Sequence, residues 1–436
     1  MLAVIIIPLI LEQCLTSLMG TIDTMMVSNL GSASLSAVSL VDSINILIIM
    51  LFTAMAAGGS IICSQYIGSR DYDDARSAAR QVLFVAVISA AAVMVLCLLL
   101  RAPILKLIFG NVEEAVMEDS LTYFFWTSLS FPFLAVYNTG ASVFRAMGNT
   151  RLPLIVSFSS NVLNVAGNWV LIWPFHMGVA GAAIATLISR IFLAVAIMIP
   201  LRNRNRDIYI RDYLSIRPDR KLICKVMKIA VPSGVENSMF QFGKLAIQST
   251  VSTLGTVAIA AQSMTNVLEN LSGMGGLAVG TAMMTVVGQC IGAEREDEAK
   301  YYMKKMTLIG FLVLLVNLAL ITALAFPATR LGKMEEEAAA LCIKLTLIIA
   351  IFKPIVWPLS FLPCNGMKAA GDVKYSMIVS CSTMWILRVF LCTVLCRTTD
   401  IGPLGVWIAM FADWTARSIL YGLRWKSGKW LKHKVI

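Results

Sequence analysis

The chain is written twice. Pro8-Leu9-Ile10-Leu11-Glu12-Gln13 returns as Pro232-Ser233-Gly234-Val235-Glu236-Asn237, and Leu30-Gly31 returns as Leu254-Gly255. Gln65, Ile67, Gly68, Asp73, Asp74 and Ala75 return as Gln289, Ile291, Gly292, Asp297, Glu298 and Ala299, all at one offset of 224 residues. Arg145-Ala146-x-Gly148-Asn149 returns as Lys368-Ala369-x-Gly371-Asp372, one residue closer, and Gly178, Gly181 and Ala185 return as Gly402, Gly405 and Ala409. A chain duplicated at this length folds as two related units, each with its own copy of every turn.

Lipid is the solvent for these units. The chain has 436 residues, 58% of them hydrophobic and only 14% charged, with a mean hydropathy of +0.79. A soluble domain carries about 25% charged residues. The net charge of +11 does not indicate nucleic acid, because the basic residues lie between hydrophobic runs and no aromatic-interleaved basic module is present. Cys14, Cys63, Cys97, Cys342, Cys381 and Cys392 sit inside apolar runs without a CxxC pair and read as small buried hydrophobes. His176 and His433 are far apart and suggest no metal cluster. The opening run contains Glu12 and Asp23, so it reads as a span rather than a cleavable signal. The first repeat lacks the basic lead-in that Lys221, Lys225 and Lys228 give the second, so a few residues before Met1 are expected.

About 20 apolar residues cross the hydrocarbon as a helix. Twelve spans are expected, at 3–28, 34–66, 78–100, 119–143, 152–173, 177–200, 229–253, 258–290, 304–326, 339–363, 375–396 and 402–423. The second and eighth are long. The tenth carries Pro354, Pro358 and Pro363 and is expected to be kinked or broken. Six spans per half make a parallel repeat of two six-helix lobes, residues 1–200 and 229–436, joined by a basic linker at 201–228. Arg70, Arg76 and Arg80, the linker, Arg295, Lys300, Lys304, Lys305 and the basic tail all fall on one side. The other side holds only Arg101, Lys106, Arg330, Lys333 and Arg397, which places both termini in the cytoplasm.

Charges inside spans are costly, about 2.5–3.5 kcal/mol each at mid-bilayer on insertion scales. Here the deep ones are Glu12, Asp23, Asp42, Arg190, Glu236, Lys244, Glu269, Lys353, Arg388, Asp413 and Arg417, with nearly balanced signs. Asp413 and Arg417 are spaced i, i+4 and can neutralise each other. Asp23 has no base within two turns on its own span. Asn161, Asn164 and Asn168 line one helical face, and Thr186 adds an oxygen from the next span. Asp23 maps onto Ile247, and Asn161 and Asn164 map onto Met384 and Leu387, so the second half has dropped this set. A polar set kept in one lobe only points to a site. One carboxylate among neutral oxygens suits a monovalent cation, H⁺ or Na⁺, and low dielectric penalises the bare carboxylate, which suits proton uptake. The second half keeps Glu236, Gln262, Asn266, Glu269 and Lys353 instead. Glu12, Asp42, Glu236, Asn266, Glu269 and Lys353 are therefore candidates for substrate contact or proton relay. Glu236 repeats Glu12, which also suits a structural role shared by both lobes.

Met19-Gly20-Thr21-Ile22-Asp23-Thr24-Met25-Met26-Val27, Gln65-x-x-Gly68, Phe144-Arg145-Ala146-Met147-Gly148-Asn149-Thr150 and Gly178-Val179-Ala180-Gly181-Ala182-Ala183-Ile184-Ala185-Thr186 together resemble the multidrug and toxic compound extrusion (MATE) transporters, in order and over essentially the whole chain. The resemblance implies an all-α membrane protein with two pseudo-symmetric six-helix lobes in a V. It also implies a monomer in the bacterial plasma membrane that exports organic compounds, cationic or amphipathic, in exchange for H⁺ or Na⁺. It implies a cation site at Asp23, Asn164 and Thr186, with Asn168 where some members carry a second acid. Other members use acids in the seventh and tenth spans, where this chain has Phe240 and Trp357.

The expected protein is thus a cofactor-free antiporter, not an enzyme, with a small-molecule substrate, membrane lipid around it and no nucleic-acid partner. H⁺ is slightly preferred over Na⁺ because one carboxylate is missing. The rival reading is a lipid-linked oligosaccharide flippase of related architecture. Such a protein favours a cavity lined strongly with cations, and the near balance of deep charges argues against it. No HExxH or GxSxG motif supports a membrane enzyme.

Overall fold

The computed structural model describes residues 2–110, 112–211, 217–332, 334–399 and 401–436; Lys333 and the middle of the linker, 212–216, lie outside the described residues. In the first half the helices are α1 (Leu2–Ser28), α2 (Ser32–Gly68), α3 (Tyr72–Leu99), α4 (Arg101–Phe109), α5 (Glu114–Leu129), α6 (Phe131–Ala146), α7 (Arg151–Ile172) and α8 (Gly178–Leu201). The second half follows with α9 (Arg220–Val251), α10 (Thr256–Gly292), α11 (Glu296–Leu331), α12 (Glu336–Ala369), α13 (Val373–Thr383), a π-helical segment at Met384–Phe390, α14 (Leu391–Thr398) and α15 (Leu404–Lys426). Among the described residues there is no strand, and nine of the helical segments are long and apolar enough to cross a membrane. The chain forms two compact units, Met1–Gly234 and Val235–Ile436, and the division falls inside α9.

Each expected span has its helix, with three differences. The fourth span is two helices, α5 and α6, because the chain turns at Ser130 and Pro132 then opens α6 at a position where its missing N–H costs nothing. The tenth is not broken: α12 runs through Pro354, Pro358 and Pro363 without interruption. The eleventh is α13 and α14 joined by the π segment.

In the first unit α2 packs on α3, α5 and α6, and α7 pairs with α8 and α1. Val41, Phe52, Phe124, Phe131, Ile172 and Ala183 fill its interior. In the second, α10, α11 and α12 pack on one another and α15 lies on α12. Outward residues such as Leu99, Val316 and Phe390 remain more than half exposed, as lipid-facing side chains do.

The repeated sequences are repeated turns. The Asn149 N–H donates to Phe144 O (2.9 Å) and the Gly148 N–H to Arg145 O (2.8 Å); in the second unit the Asp372 N–H donates to Met367 O (3.0 Å) and the Gly371 N–H to Lys368 O (2.9 Å). Both are Schellman-type helix ends, and the glycine at each takes a positive φ, 76° at Gly148 and 98° at Gly371.

Candidate functional site

The repeated motif also carries a clasp. Arg145 Nη2 lies 2.6 Å from Glu12 Oε1, and Lys368 Nζ lies 2.8 Å from Glu236 Oε2. Glu12 is further bonded by Tyr137 Oη (3.3 Å), and Glu236 by Ser380 Oγ (2.9 Å). The structure therefore places Glu12 and Glu236 in equivalent ion pairs that tie the start of each unit to its repeated helix end. The signal for these partners was present in the sequence, since Arg145 and Lys368 are both basic at matched positions.

Deeper in the first unit, Asp23, Asn164, Asn168 and Thr186 come together. Close packing of α8 on α7 sets them: a Cβ on Gly181 would press on Leu171 at about 3.0 Å, so the small residue permits the approach that brings Thr186 beside Asn164. The Asn168 amide donates to Asp23 Oδ1 (2.8 Å) and to Asn164 Oδ1 (3.3 Å), and Asn164 Nδ2 reaches Thr186 Oγ1 (3.4 Å). One end of the Asn164 amide lies 2.8 and 3.2 Å from the two Asp23 oxygens. With its nitrogen there it donates to an ionised carboxylate. With its oxygen there the contact is favourable only when Asp23 is protonated or both oxygens share a cation. Asn168 Oδ1 is buried and unbonded among the described residues, a further acceptor.

Behind this group stands Asp42, bonded by Asn45 Nδ2 (3.2 Å) and within reach of the Tyr123 hydroxyl. Arg190, held by Ser130 Oγ at 2.6 Å, faces Asp23 and Asp42 electrostatically. Tyr123 was not identified from the sequence; a tyrosine in an apolar span is a weak signal until its helix neighbours are known.

The second unit has a different interior. Lys353 is fully buried and bonds Glu269 Oε1 (2.6 Å), the Glu269 carbonyl (2.8 Å) and Ser272 Oγ (2.8 Å). Gln262 links Asn266 (3.3 Å) to the Trp407 indole (2.9 Å). Arg417 pairs with Asp413 at 2.7 Å. A cavity of about 270 Å³ is lined by Lys244, Gln262, Asn266, Glu269, Arg388 and Trp407. A second, of about 130 Å³, is lined by Phe240, Lys244, Glu269, Trp357, Phe361 and Arg388. A wider groove of about 700 Å³ between α11 and α12 is lined by lipid-exposed Leu308, Ile355 and Leu359 with Lys304 and Lys305, and suits an acyl chain rather than this chemistry.

Duplicated bundles of apolar helices with separate polar interiors define a multipass membrane transporter rather than an enzyme. The MatE family model matches residues 8–170 and again 232–394, the same 224-residue offset seen in the repeated motifs. The chain belongs to the MatE family, that of the MATE transporters. It is 25% identical over 435 residues to an uncharacterized transporter, YisQ, of Bacillus subtilis, covering 98% of this chain and 93% of the relative. It is 25% identical over 433 residues to a probable multidrug resistance protein, NorM, of Thermotoga maritima, covering 98% and 91%. A solved outward-facing multidrug resistance MATE family transporter superposes with a TM-score of 0.91 at 21% identity, over 98% of this chain and 94% of that one. A solved MATE structure in a bent conformation gives 0.90 at 21% identity, over 98% and 94%.

Proposed function

We propose that this protein is a secondary antiporter of the bacterial plasma membrane. It exports small amphipathic organic compounds by alternating access, in exchange for H⁺ bound at Asp23, with Na⁺ as the alternative ion. The observation that carries the reading is the contact of the Asp23 carboxylate with two amides, one of which can answer either charge state by turning over. When Asp23 is ionised it accepts from Asn168 and from Asn164 turned nitrogen-inward. When it is protonated it donates to Asn164 turned oxygen-inward, while Asn168 also donates to that oxygen. Proton uptake thus changes the hydrogen-bond pattern between α1 and α7, which is a differential contact of the kind coupling requires. Asn168 in place of a second acid favours H⁺ over Na⁺.

The two lobes, 1–200 and 229–436, are read as the moving units, with 201–228 as a cytoplasmic connection, both termini inside and a monomer sufficient for transport. Asp42 with Arg190 is the relay candidate nearest Asp23. Glu12 and Glu236 serve as clasps.

The test is efflux from proteoliposomes with pH and Na⁺ gradients imposed separately. Wild-type protein is expected to respond to the pH gradient, and Asp23→Asn to lose that response while remaining monodisperse. Gradient-driven export by Asp23→Asn at the wild-type rate removes Asp23 from the mechanism.

A further inference from the structure

Once the deep acids of the second unit are assigned their shortest ion pairs, two of its deep cations, Lys244 and Arg388, are left over among the described residues. Glu236 is taken by Lys368, Glu269 by Lys353 and Asp413 by Arg417. Lys244 forms no ion pair among the described residues, although its stem lies in the cavity wall beside Glu269 and Arg388. Arg388 reaches Asp413 Oδ2 only at 3.9 Å, its Nε–H is buried without an acceptor, and another of its nitrogens rests on the Met410 sulfur at 2.7 Å. Three cations crowd one ring: Lys244, Arg388 and Arg417 lie 5.2, 5.4 and 5.8 Å from the centroid of Phe240. Like charges gathered in an apolar wall repel, and an aromatic face offsets little of that. A mobile counter-anion relieves it.

The backbone is adapted at the same place. Arg388 lies in the π-helical segment Met384–Phe390, whereas the matching helix of the first unit, α7, is regular and carries no charge beyond Arg151. Wide turns of this kind are frequent at functional sites. On the other side of Lys244 and Arg388 the wall is aromatic, with Trp357 stacked on Phe361 at 4.8 Å and Trp414 edge-on to Phe361 at 6.5 Å.

We infer that the second unit holds a binding site for a small soluble organic anion with an aromatic body. Lys244 and Arg388 grip its carboxylate or sulfonate, Asn266 and Gln262 supply neutral contacts, and Trp357, Phe361 and Phe240 receive the ring. The two cavities share Lys244, Glu269 and Arg388, so the charged group sits at their junction. This rests on the export reading and narrows its substrate class from amphipathic compounds to anionic ones, against the cationic compounds that the sequence also led one to expect. It also removes the balance of charges as an argument against an anionic lipid substrate, which the test must therefore address.

Binding is measured by calorimetry on the full-length protein in nanodiscs, without any gradient, using 2-naphthoate, 2-naphthylmethylammonium and geranyl phosphate. Naphthoate is expected to bind at least about tenfold more tightly than the matched ammonium, as expected for a charge-assisted contact. Arg388→Gln and Lys244→Gln are each expected to lose at least about tenfold, with Lys244→Arg retaining affinity and showing that loss is not misfolding. Equal or tighter binding of the ammonium overturns the site. So does naphthoate binding that both glutamine variants leave unchanged. Binding of geranyl phosphate alone assigns the cations to a lipid phosphate and overturns the soluble-anion reading. Export is read separately: naphthoate bound but not driven by either gradient refutes antiport and leaves the site standing, whereas driven efflux of the ammonium alone does the reverse.

Discussion

Replacing Glu269 by glutamine isolates the cost of a buried cation. The Lys353 ammonium is fully buried and uses its donors on Glu269 Oε1 at 2.6 Å, the Glu269 carbonyl at 2.8 Å and Ser272 Oγ at 2.8 Å. Glutamine keeps a neutral acceptor of the same size but removes the one carboxylate that pairs with Lys353 among the described residues. Breaking one partner of a buried pair costs about 3–5 kcal/mol. Here two neutral acceptors survive and the Glu269 side chain is 18% exposed, so about 2–3 kcal/mol is expected for Glu269→Gln. The loss also removes the negative neighbour of Lys244 and one of the two beside Arg388, which keeps Asp413 at 3.9 Å. Lys353→Met is expected to cost less, because Glu269 is then answered by those same two cations. The double variant should lie within about 1 kcal/mol of Lys353→Met, since the orphaned ammonium is gone. The assay is thermal unfolding in detergent, where the Glu269→Gln midpoint should fall by roughly 5–10 °C for a unit of this size. An unchanged midpoint, or a double variant worse than the two singles combined, refutes the view that Lys353 depends on Glu269 for its charge balance.

Gly371→Ala should cost more than Gly148→Ala: both pay about 1–2 kcal/mol for a positive φ, but only at Gly371 would the new Cβ press on the His433 carbonyl, and matched melting curves measure the difference. Glu12→Gln should destabilise the first unit by about 1–3 kcal/mol by stranding Arg145, with Glu12→Lys/Arg145→Glu recovering part of the loss in the same assay. Asn168→Asp restores an acid beside Asp23, so Na⁺-driven efflux should rise relative to proton-driven efflux; proteoliposomes with separate gradients read the ratio.

The frame was legible because duplication marks what both units need. Arg145 and Lys368, and the glycines at 148 and 371, recur because each unit needs the same helix end and the same clasp. Asp23 with Asn164, Asn168 and Thr186 was legible through helical spacing and through their absence from the second half. What was not legible is pairing across helices. Of the eleven deep charges, Glu269 pairs with Lys353 and Asp413 with Arg417, while Glu12 and Glu236 find Arg145 and Lys368. Asp23 and Asp42 share the field of Arg190, and Lys244 and Arg388 have no ion pair shorter than 3.9 Å among the described residues. That sorting follows only from bringing the helices together. Proline content alone did not tell a break from a continuous helix at α12, which runs unbroken through Pro354, Pro358 and Pro363. Tyr123 and Trp407 carry no pattern of their own and acquire meaning only from Asp42 and Gln262 beside them.

The divergence of the two interiors has a backbone cause that can be read from the offsets. Asn149 and Asp372 are 223 residues apart, whereas Gly178 and Gly402 are 224 apart. The second unit therefore carries one more residue than the first between its repeated helix end and its repeated glycine. Between those two points the first unit has the regular helix α7, and the second has the π segment Met384–Phe390. A π turn bonds i to i+5 and so accommodates one residue more than an α turn. The π segment lies between α13 and α14, and Arg388 on it lines both cavities. In the first unit the unmodified helix instead presents Asn164 and Asn168 to Asp23. The extra residue and the π segment thus fall in the same stretch where the two units part, an acid-centred set on α7 in the first and a cation-rich set around Arg388 in the second, within a frame that both keep.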